Sequence, residues 1–322
     1  MRHKIVLLIP IILIIKACTS FEWTHSNLYL YGNNIGMSLH IVNDTSFFLV
    51  TYRDSIEIFK SEDDGKNWNK LYSFEKKWFY ESALMDDNNV YIAMKKKKDS
   101  LHAISKCSLY QDNIKTLLLP DSAYCEYGAR LWMGSDNNLR LVLCLTGKKN
   151  RALYRISEDF NSLIFERSLP DSIKAWNIYE INDFVLVYQT RNGKNIVINY
   201  PDREEVLSSL WNKTPCGVYD GKIYLTAHLD TTDYNIYSYS INDNTIDTIP
   251  SFSLPKIVSY VKEDTLLTTM LIEKNNKVIG ITTDFGRQKK IIDINTVGIY
   301  CTCIYKGRLY VYNSGKIKSY GL

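Results

Sequence analysis

A strongly β-forming run of four residues recurs seven times along the chain, and this recurrence restricts the possible fold more than any other feature. Each run follows a turn rich in Asn, Asp or Gly, which are turn-forming residues. The runs read FFLV, VYIA, LRLV, FVLV, IYLT, LLTT and LYVY, and they begin at residues 47, 90, 139, 184, 223, 266 and 309. Their spacing of about 44 residues is too short for a domain but long enough for several short strands.

Most of these runs are followed by a second strand, a polar turn and a third strand, such as WNKLYSF or LIFERSL. A small sheet that recurs with this period is typical of a β-propeller blade. The sequence therefore predicts an all-β fold, a seven-bladed β-propeller, with a six-bladed ring as the alternative. No linker divides residues 18–322, so we expect a single β-propeller domain.

The last repeat ends at YVYNSGKIKSYGL, which is too short to supply a fourth strand. The segment from Trp23 to Asn33 precedes the first repeat and has strand character. Propellers avoid exposed sheet edges, so we predict that this segment completes the last blade by pairing with residues near 309–320.

The stretch KSEDDGKNWNKL contains Ser61, Asp63, Gly65 and Trp68 in the spacing of a tight polar turn. Short Ser and Asp side chains bond nearby backbone amides, and Gly supplies the left-handed conformation that closes such a turn. The stretch resembles the Asp-box of the BNR, or sialidase-like, β-propeller repeats. That resemblance implies a structural hairpin between the third and fourth strands of a blade, in which these residues contact no ligand.

Two weaker relatives of this turn occur later. SEDFNSLI keeps Asp159 but has Asn161 in place of Gly, and TTDFGRQK keeps Asp284 and Gly286 but has Lys289 in place of Trp. We expect both to retain the turn bonding and to lose the packing of the tryptophan.

The N-terminus MRHKIVLLIPIILIIKACTS has a basic start, an apolar run from Ile5 to Ile15, and Ala17 before Cys18. A run of this length is too short to span a bilayer, which needs about 20 residues. The pattern resembles a bacterial lipoprotein signal, which implies cleavage of a signal peptide of residues 1–17 and lipidation of Cys18. Lys16 departs from the usual small or uncharged residue. Plain secretion and an uncleaved anchor are the alternatives.

The resemblance places the protein in the bacterial cell envelope, lipid-anchored to a membrane on its periplasmic or surface side. Removal of residues 1–17 takes away three basic residues and no acidic one, so the mature chain is close to neutral. A nucleic-acid-binding protein usually has a basic excess, so we expect no such partner. The lysines of KKKK at residues 95–98 are expected to be solvated at a hairpin tip.

Six cysteines besides Cys18 are irregularly spaced and do not require disulfides. The histidines show no spacing typical of metal ligands. We therefore predict buried, inert cysteines and neither a metal nor a cofactor.

A sialidase-like site would need three arginines, a Tyr–Glu nucleophile pair and an acid, and its first arginine normally lies in an Arg-Ile-Pro motif. The chain has no such motif, and Arg53 lies in TYRDS. A glycosidase with two carboxylates stays open, because their separation cannot be read from sequence. The sequence favours a non-catalytic module that binds a glycan or a protein, with a glycan-cleaving enzyme as the alternative.

Propellers usually bind ligands where the loops entering the innermost strands meet. Counting back nine or ten residues from each repeat gives cations and aromatic residues that suit an anionic glycan or an acidic envelope protein, and we expect a monomer to present them. Solvated lysines and aromatics that pack between blades are the alternative reading. The predicted mouth residues are Tyr80, Glu81, Arg130, Lys174, Trp176, Lys213, Lys256 and Tyr300.

Overall fold

The structure is a computed structural model. It describes residues 24–25, 35–96, 101–120, 123–124, 131–145, 151–170, 173–182, 185–190, 195–211, 213–227, 235–249, 256–262, 265–273, 276–283, 288–296, 301–313 and 316–321. The signal segment and Cys18 therefore lie outside the described residues.

The described residues form strands throughout, apart from turns and one 3-10 helix at Ser208–Leu210. The first two sheets comprise β2 (Ile35–Ile41), β3 (Phe47–Tyr52), β4 (Ile56–Ser61) and β5 (Asn69–Ser73), then β6 (Trp78–Met85), β7 (Asn89–Lys96), β8 (His102–Ser108) and β9 (Ile114–Leu118). The third sheet comprises β10 (Ala123–Tyr124), β11 (Leu131–Met133), β12 (Leu139–Leu145), β13 (Arg151–Ile156) and β14 (Leu163–Leu169).

The fourth sheet comprises β15 (Ile173–Asn182), β16 (Val185–Thr190), β17 (Ile196–Asn199) and β18 (Glu204–Leu207). The fifth comprises β19 (Lys213–Tyr219), β20 (Lys222–Ala227), β21 (Ile236–Ser240) and β22 (Thr245–Ile249). The sixth comprises β23 (Lys256–Lys262), β24 (Thr265–Glu273), β25 (Asn276–Thr283) and β26 (Gln288–Thr296). The seventh joins β27 (Cys301–Tyr305), β28 (Arg308–Asn313) and β29 (Lys316–Gly321) to β1 (Thr24–His25).

Within the described ranges the strands thus form seven separate antiparallel sheets. The described residues of each β-forming run lie in an inner strand of a sheet, as β3 and β7 show. The all-β prediction is confirmed. The period of the sequence arises because each repeat contributes one small sheet.

The N-terminal segment closes the last sheet, as predicted. Thr24 pairs with Ile317 and His25 pairs with Lys316 in an antiparallel register. The outer edge of β29 is therefore covered by a strand from the opposite end of the chain.

The chain divides into two compact units. One contains residues 1–53, 58–70 and 299–322, and the other contains residues 54–57 and 71–298. In the first unit, the core lies between the first and seventh sheets and includes Phe47, Trp68 and Ile317. In the second unit, apolar clusters lie between consecutive sheets, for example between Ile104 of β8 and Leu141 of β12. The inner strands of these sheets, such as β7 and β16, are therefore buried on both faces, which explains their near-continuous apolar runs.

Inner strands of several sheets lie side by side within each unit. In the second unit β6 contacts β11, and β19 contacts both β15 and β23, while in the first unit β2 contacts β27. Among the described residues no helix is long and apolar enough to cross a membrane.

Candidate ligand-binding cleft

The first polar turn is held by the bonds that its spacing predicts. The hydroxyl of Ser61 accepts the Gly65 amide at 2.9 Å, and Asp63 Oδ1 accepts the Asn67 amide at 2.8 Å. Gly65 has φ +77°, and the Trp68 indole donates to its carbonyl at 2.8 Å. Although burial opposes it, hydrogen bonding from Asn67 holds the pKa of Asp63 below its ordinary value. The side chains of Ser61, Asp63 and Trp68 thus make their hydrogen bonds within the turn itself.

The second polar turn repeats this bonding with a different anchor. Ser157 donates to Asp159 Oδ1 at 2.6 Å, and its hydroxyl accepts the Asn161 amide at 3.2 Å. Ile164, at the place of the tryptophan, is 36% exposed, and the packing comes instead from Phe160, which takes the left-handed conformation at φ +63° and is 4% exposed. Its ring lies 6.2 Å from that of Tyr91 on the preceding sheet. The third turn, with Asp284 and Gly286, lies outside the described residues.

The predicted mouth residues fall on or beside the first strands of their sheets. Tyr80 and Glu81 lie in β6, Lys174 and Trp176 in β15, and Lys213 and Lys256 begin β19 and β23. Arg130 and Tyr300 immediately precede β11 and β27 and lie outside the described residues, and the side chains of Lys174, Trp176 and Lys256 are not described either.

Two of the mouth side chains make contacts within their own sheets. Glu81 lies at a β-bulge, and its Oε2 is 3.1 Å from Nδ1 of the buried His102. The ammonium of Lys213 lies 3.8 Å from the centre of the Tyr237 ring. These contacts stabilise the second and fifth sheets, and whether either residue also binds a ligand stays a prediction.

A cavity of about 200 Å³ opens between the second and third sheets, and we call it the cleft. Its walls come from β7, β8 and the two turns that flank β12 and β13. Sequence reasoning missed it, because the walls are brought together by packing between sheets. The apolar lining residues are Tyr91, Met133, Leu139, Ile156 and Phe160.

The Tyr91 ring forms the cleft floor and is held on two sides. Its hydroxyl donates to Asp86 Oδ2 at 3.0 Å, and the Lys106 ammonium lies 5.8 Å from the ring centre. Burial and the neighbouring Asp86 carboxylate raise the pKa of Tyr91 well above its ordinary value. The phenol therefore stays a neutral hydrogen-bond donor to Asp86.

The turn between β11 and β12 forms one rim of the cleft and is fixed by a buried arginine. Arg140 makes two hydrogen bonds of 2.7 Å to the two oxygens of Asp136. Asp136 in turn accepts the backbone amide of Asn138 at 3.0 Å and its side-chain amide at 2.7 Å. Asn137 takes the left-handed conformation at φ +60°. The bonds from Asp136 set the position of Asn138 at the rim, and the Asn137 amide donates to the Gly134 carbonyl at 3.0 Å.

The same arginine connects the rim to the neighbouring strands. Its Nε donates to Glu166 at 2.9 Å, and its Nη1 lies 3.6 Å from Glu180. Glu180 also accepts the indole of Trp132 at 2.9 Å. Arg140 is fully buried, so its charge is balanced by three carboxylates instead of water.

The remaining cleft residues are polar and come from both rims. They are Lys106, Asn137, Asn138, Ser157 and Glu158. The cleft thus combines an aromatic floor with amide, hydroxyl, ammonium and carboxylate groups around its mouth. Such a composition is suited to binding a small polar ligand that also has an apolar face.

Within the described part of the chain, no group of three or more His, Cys, Asp and Glu side chains is arranged to hold a metal ion. The described free cysteines are Cys107, Cys216, Cys301 and Cys303. Burial raises the pKa of the Cys107 and Cys216 thiols to about 12, so both are protonated at neutral pH. A protonated thiol is a poor nucleophile. Cys107 and Cys301 are buried, as predicted, whereas Cys216 and Cys303 are partly exposed.

No protein-family model matches the sequence, and no curated protein matches it. Solved structures do resemble it. A catalytically inactive virginiamycin B lyase from Staphylococcus aureus, with quinupristin, has a TM-score of 0.61 at 13% identity, covering 94% of this chain and 99% of the other.

Two further structures give the same result. The WD40 β-propeller domain of Doa1 has a TM-score of 0.59 at 14% identity, with 94% and 97% of the chains covered. YCF48 bound to D1 peptide has a TM-score of 0.59 at 9% identity, with 94% and 95% covered. Identities this low establish the fold alone. The chain has an all-β β-propeller fold.

Proposed function

We propose that this protein is a non-catalytic ligand-binding module of the bacterial cell envelope, built on a β-propeller and held at a membrane by a lipid on Cys18. The observation that carries the binding role is the cleft between the second and third sheets. Its rims are fixed before any ligand arrives, by Arg140 on one side and by the Ser157–Asp159 turn on the other. Preorganised rims reduce the entropy that binding must overcome.

The alternative function, a glycan-cleaving enzyme, needs a carboxylic acid that is protonated near neutral pH. Asp136, which lies beside Arg140, does not suit that role. The hydrogen bonds from Arg140 hold the pKa of Asp136 well below its ordinary value, so this carboxyl stays ionised. The positive charge of the buried Arg140 compensates the negative charges of the carboxylates around it. This mutual compensation supports a structural role for these residues.

The propellers of similar structure support a binding role only by analogy. Two of them contain a partner or ligand, a D1 peptide in one and quinupristin in the other. The fold hosts many functions, so this analogy identifies no ligand for the present chain.

The number of blades and the type of the first polar turn are also part of this proposal. We infer that each of the seven sheets is a propeller blade and that the Ser61–Trp68 turn is an Asp-box. The shared position of the mouth residues, on or beside first strands, supports a second binding surface for an anionic glycan or an acidic protein. A ring of six blades would contradict the first of these inferences, and an experimental structure would show it directly.

The anchor is proposed from the sequence of the N-terminus alone. Two acyl chains on Cys18 would give stable attachment, whereas a single chain gives marginal binding. The protein would then present its binding surfaces in the periplasm or at the cell surface.

A glycan array read together with a pull-down from envelope extract tests the function. The mature protein should bind a glycan or a protein without releasing product, and the double variant Lys106→Met/Glu158→Gln should lose ligands that use the cleft. The double variant Lys318→Met/Glu62→Gln is the matched control. Lys318 also lies over a tyrosine ring, at 5.1 Å from that of Tyr320, and Glu62 occupies the same place in the first polar turn as Glu158 does in the second. Time-dependent product release would instead establish an enzyme.

A further inference from the structure

We infer that the cleft binds a single neutral sugar ring, such as one residue of a longer glycan. This inference rests on the proposed binding function and names the ligand class of that site. It does not involve the predicted mouth residues.

The size of the cleft limits the ligand. A volume of about 200 Å³ is below the range of roughly 300–1,000 Å³ that is usual for pockets that hold drug-sized molecules. One ring fits such a space, while an oligosaccharide must extend out of it. The apolar floor of Tyr91 and Phe160 matches the C–H face of a sugar ring.

The polar groups at the rim match hydroxyl groups. Each asparagine amide can both donate and accept, and a sugar hydroxyl does the same. Lys106 adds donors and Glu158 adds acceptors on the opposite rim. A neutral polyol offers both donors and acceptors to groups of these kinds.

The charges at the rim argue against an ionic ligand. Lys106 is the one ammonium and Glu158 the one carboxylate among the residues that line the described cleft. An anion attracted by Lys106 would meet the negative Glu158, and a cation would meet the positive Lys106. A site with balanced charge therefore discriminates against both classes and favours a neutral ligand.

Titration calorimetry of the full mature protein in mild detergent tests the inference. The probes are neutral methyl hexopyranosides and N-acetylhexosaminides, with methyl hexuronides and hexosamines as charged counterparts. We expect a neutral sugar to bind with a dissociation constant that changes less than twofold between about 50 and 500 mM salt, since screening acts only on net ionic attraction. Lys106→Met and Glu158→Gln should each weaken binding about three- to tenfold.

A third variant removes a polar group without straining the rim. Asn137→Gly is tolerated at a positive φ, and it should also weaken binding. The control Asp220→Gly has the same kind of conformation, with φ +48°, in an exposed turn outside the cleft. If the two variants have equal unfolding midpoints, weaker binding by Asn137→Gly alone is not caused by a loss of stability.

The charged probes decide the ligand class. Tighter binding of a hexuronide, strengthened by Glu158→Gln and weakened by salt, would overturn the neutral-ligand inference and leave the binding function intact. Binding of envelope partners that survives every cleft variant would also overturn it, by placing the site elsewhere. Loss of those partners in the cleft variants, with no sugar bound, would mean that the cleft serves another ligand class.

Discussion

A β-carbon on Gly134 would lie 1.6 Å from Nη1 of Arg140, so the buried guanidinium occupies the space that any other side chain would need. The arginine holds Asp136, and Asp136 holds the rim of the cleft. Gly134 does not have a positive φ. Glycine is needed at this position because only a residue without a β-carbon lets Arg140 approach so closely.

Gly134→Ala should lower the free energy of unfolding by at least about 3 kcal/mol, because it displaces a buried charge from its partners. Urea denaturation measures this. Gly321→Ala is the control, since no atom lies within 4 Å of the added carbon, and it should change stability by less than about 0.5 kcal/mol. Equal effects would show that Arg140 can move without cost.

Trp68→Ala should lower the free energy of unfolding by about 3–5 kcal/mol, because the indole is fully buried between the first and seventh sheets. The affinity of the folded fraction for ligands should not change. Trp211→Ala, at a side chain that is 55% exposed, is the control and should have a small effect. Loss of affinity at intact stability would assign Trp68 a binding role.

Asp136 should contribute stability at neutral pH that is lost in acid. Its pKa is lowered in the folded state by hydrogen bonds from Arg140, so its contribution is complete above the unfolded pKa of about 4 and declines as the pH falls below that value. Denaturation from pH 7 to pH 2 should therefore show Asp136→Asn approaching the parent protein in stability. A difference that stays constant over this range would contradict the assignment.

The closing strand should be needed for full stability. A chain that begins at residue 27 lacks the pairing of Thr24 and His25 with β29, and we expect it to lose about 1–3 kcal/mol and to self-associate through the exposed edge. A chain that begins at residue 23 keeps the strand and is the control. Denaturation and light scattering measure the two effects, and identical behaviour would show that the strand is dispensable.

Cys18→Ser should abolish labelling by a radioactive fatty acid and release the mature protein from detergent-extracted membranes, because the thioether linkage needs the sulfur. Mass spectrometry of the native N-terminus provides an independent check. An unmodified N-terminus beyond Cys18 would show that the protein is secreted and carries no lipid anchor.

The sequence determined the features that depend on local chemistry. The strands, the recurring small sheets and the Ser61–Gly65 bonding follow from side-chain propensity and turn conformation, which act over a few residues. Pairing of the N-terminal strand could be predicted because the segment before the first repeat has strand character and the last repeat has residues for only part of a sheet.

Tertiary structure decided which side chains meet. Phe160 has no distinctive place in the sequence pattern, yet its ring packs beside that of Tyr91, which lies on a different sheet. Arg140 and Gly134 read as ordinary residues of a strand and a turn, and their dependence on each other appears only when Asp136, Glu166 and Glu180 surround one guanidinium. Periodicity in the sequence indicates which residues lie in strands. The cleft depends on contacts between residues of different sheets, and the distance between two such residues cannot be read from their separation in the sequence.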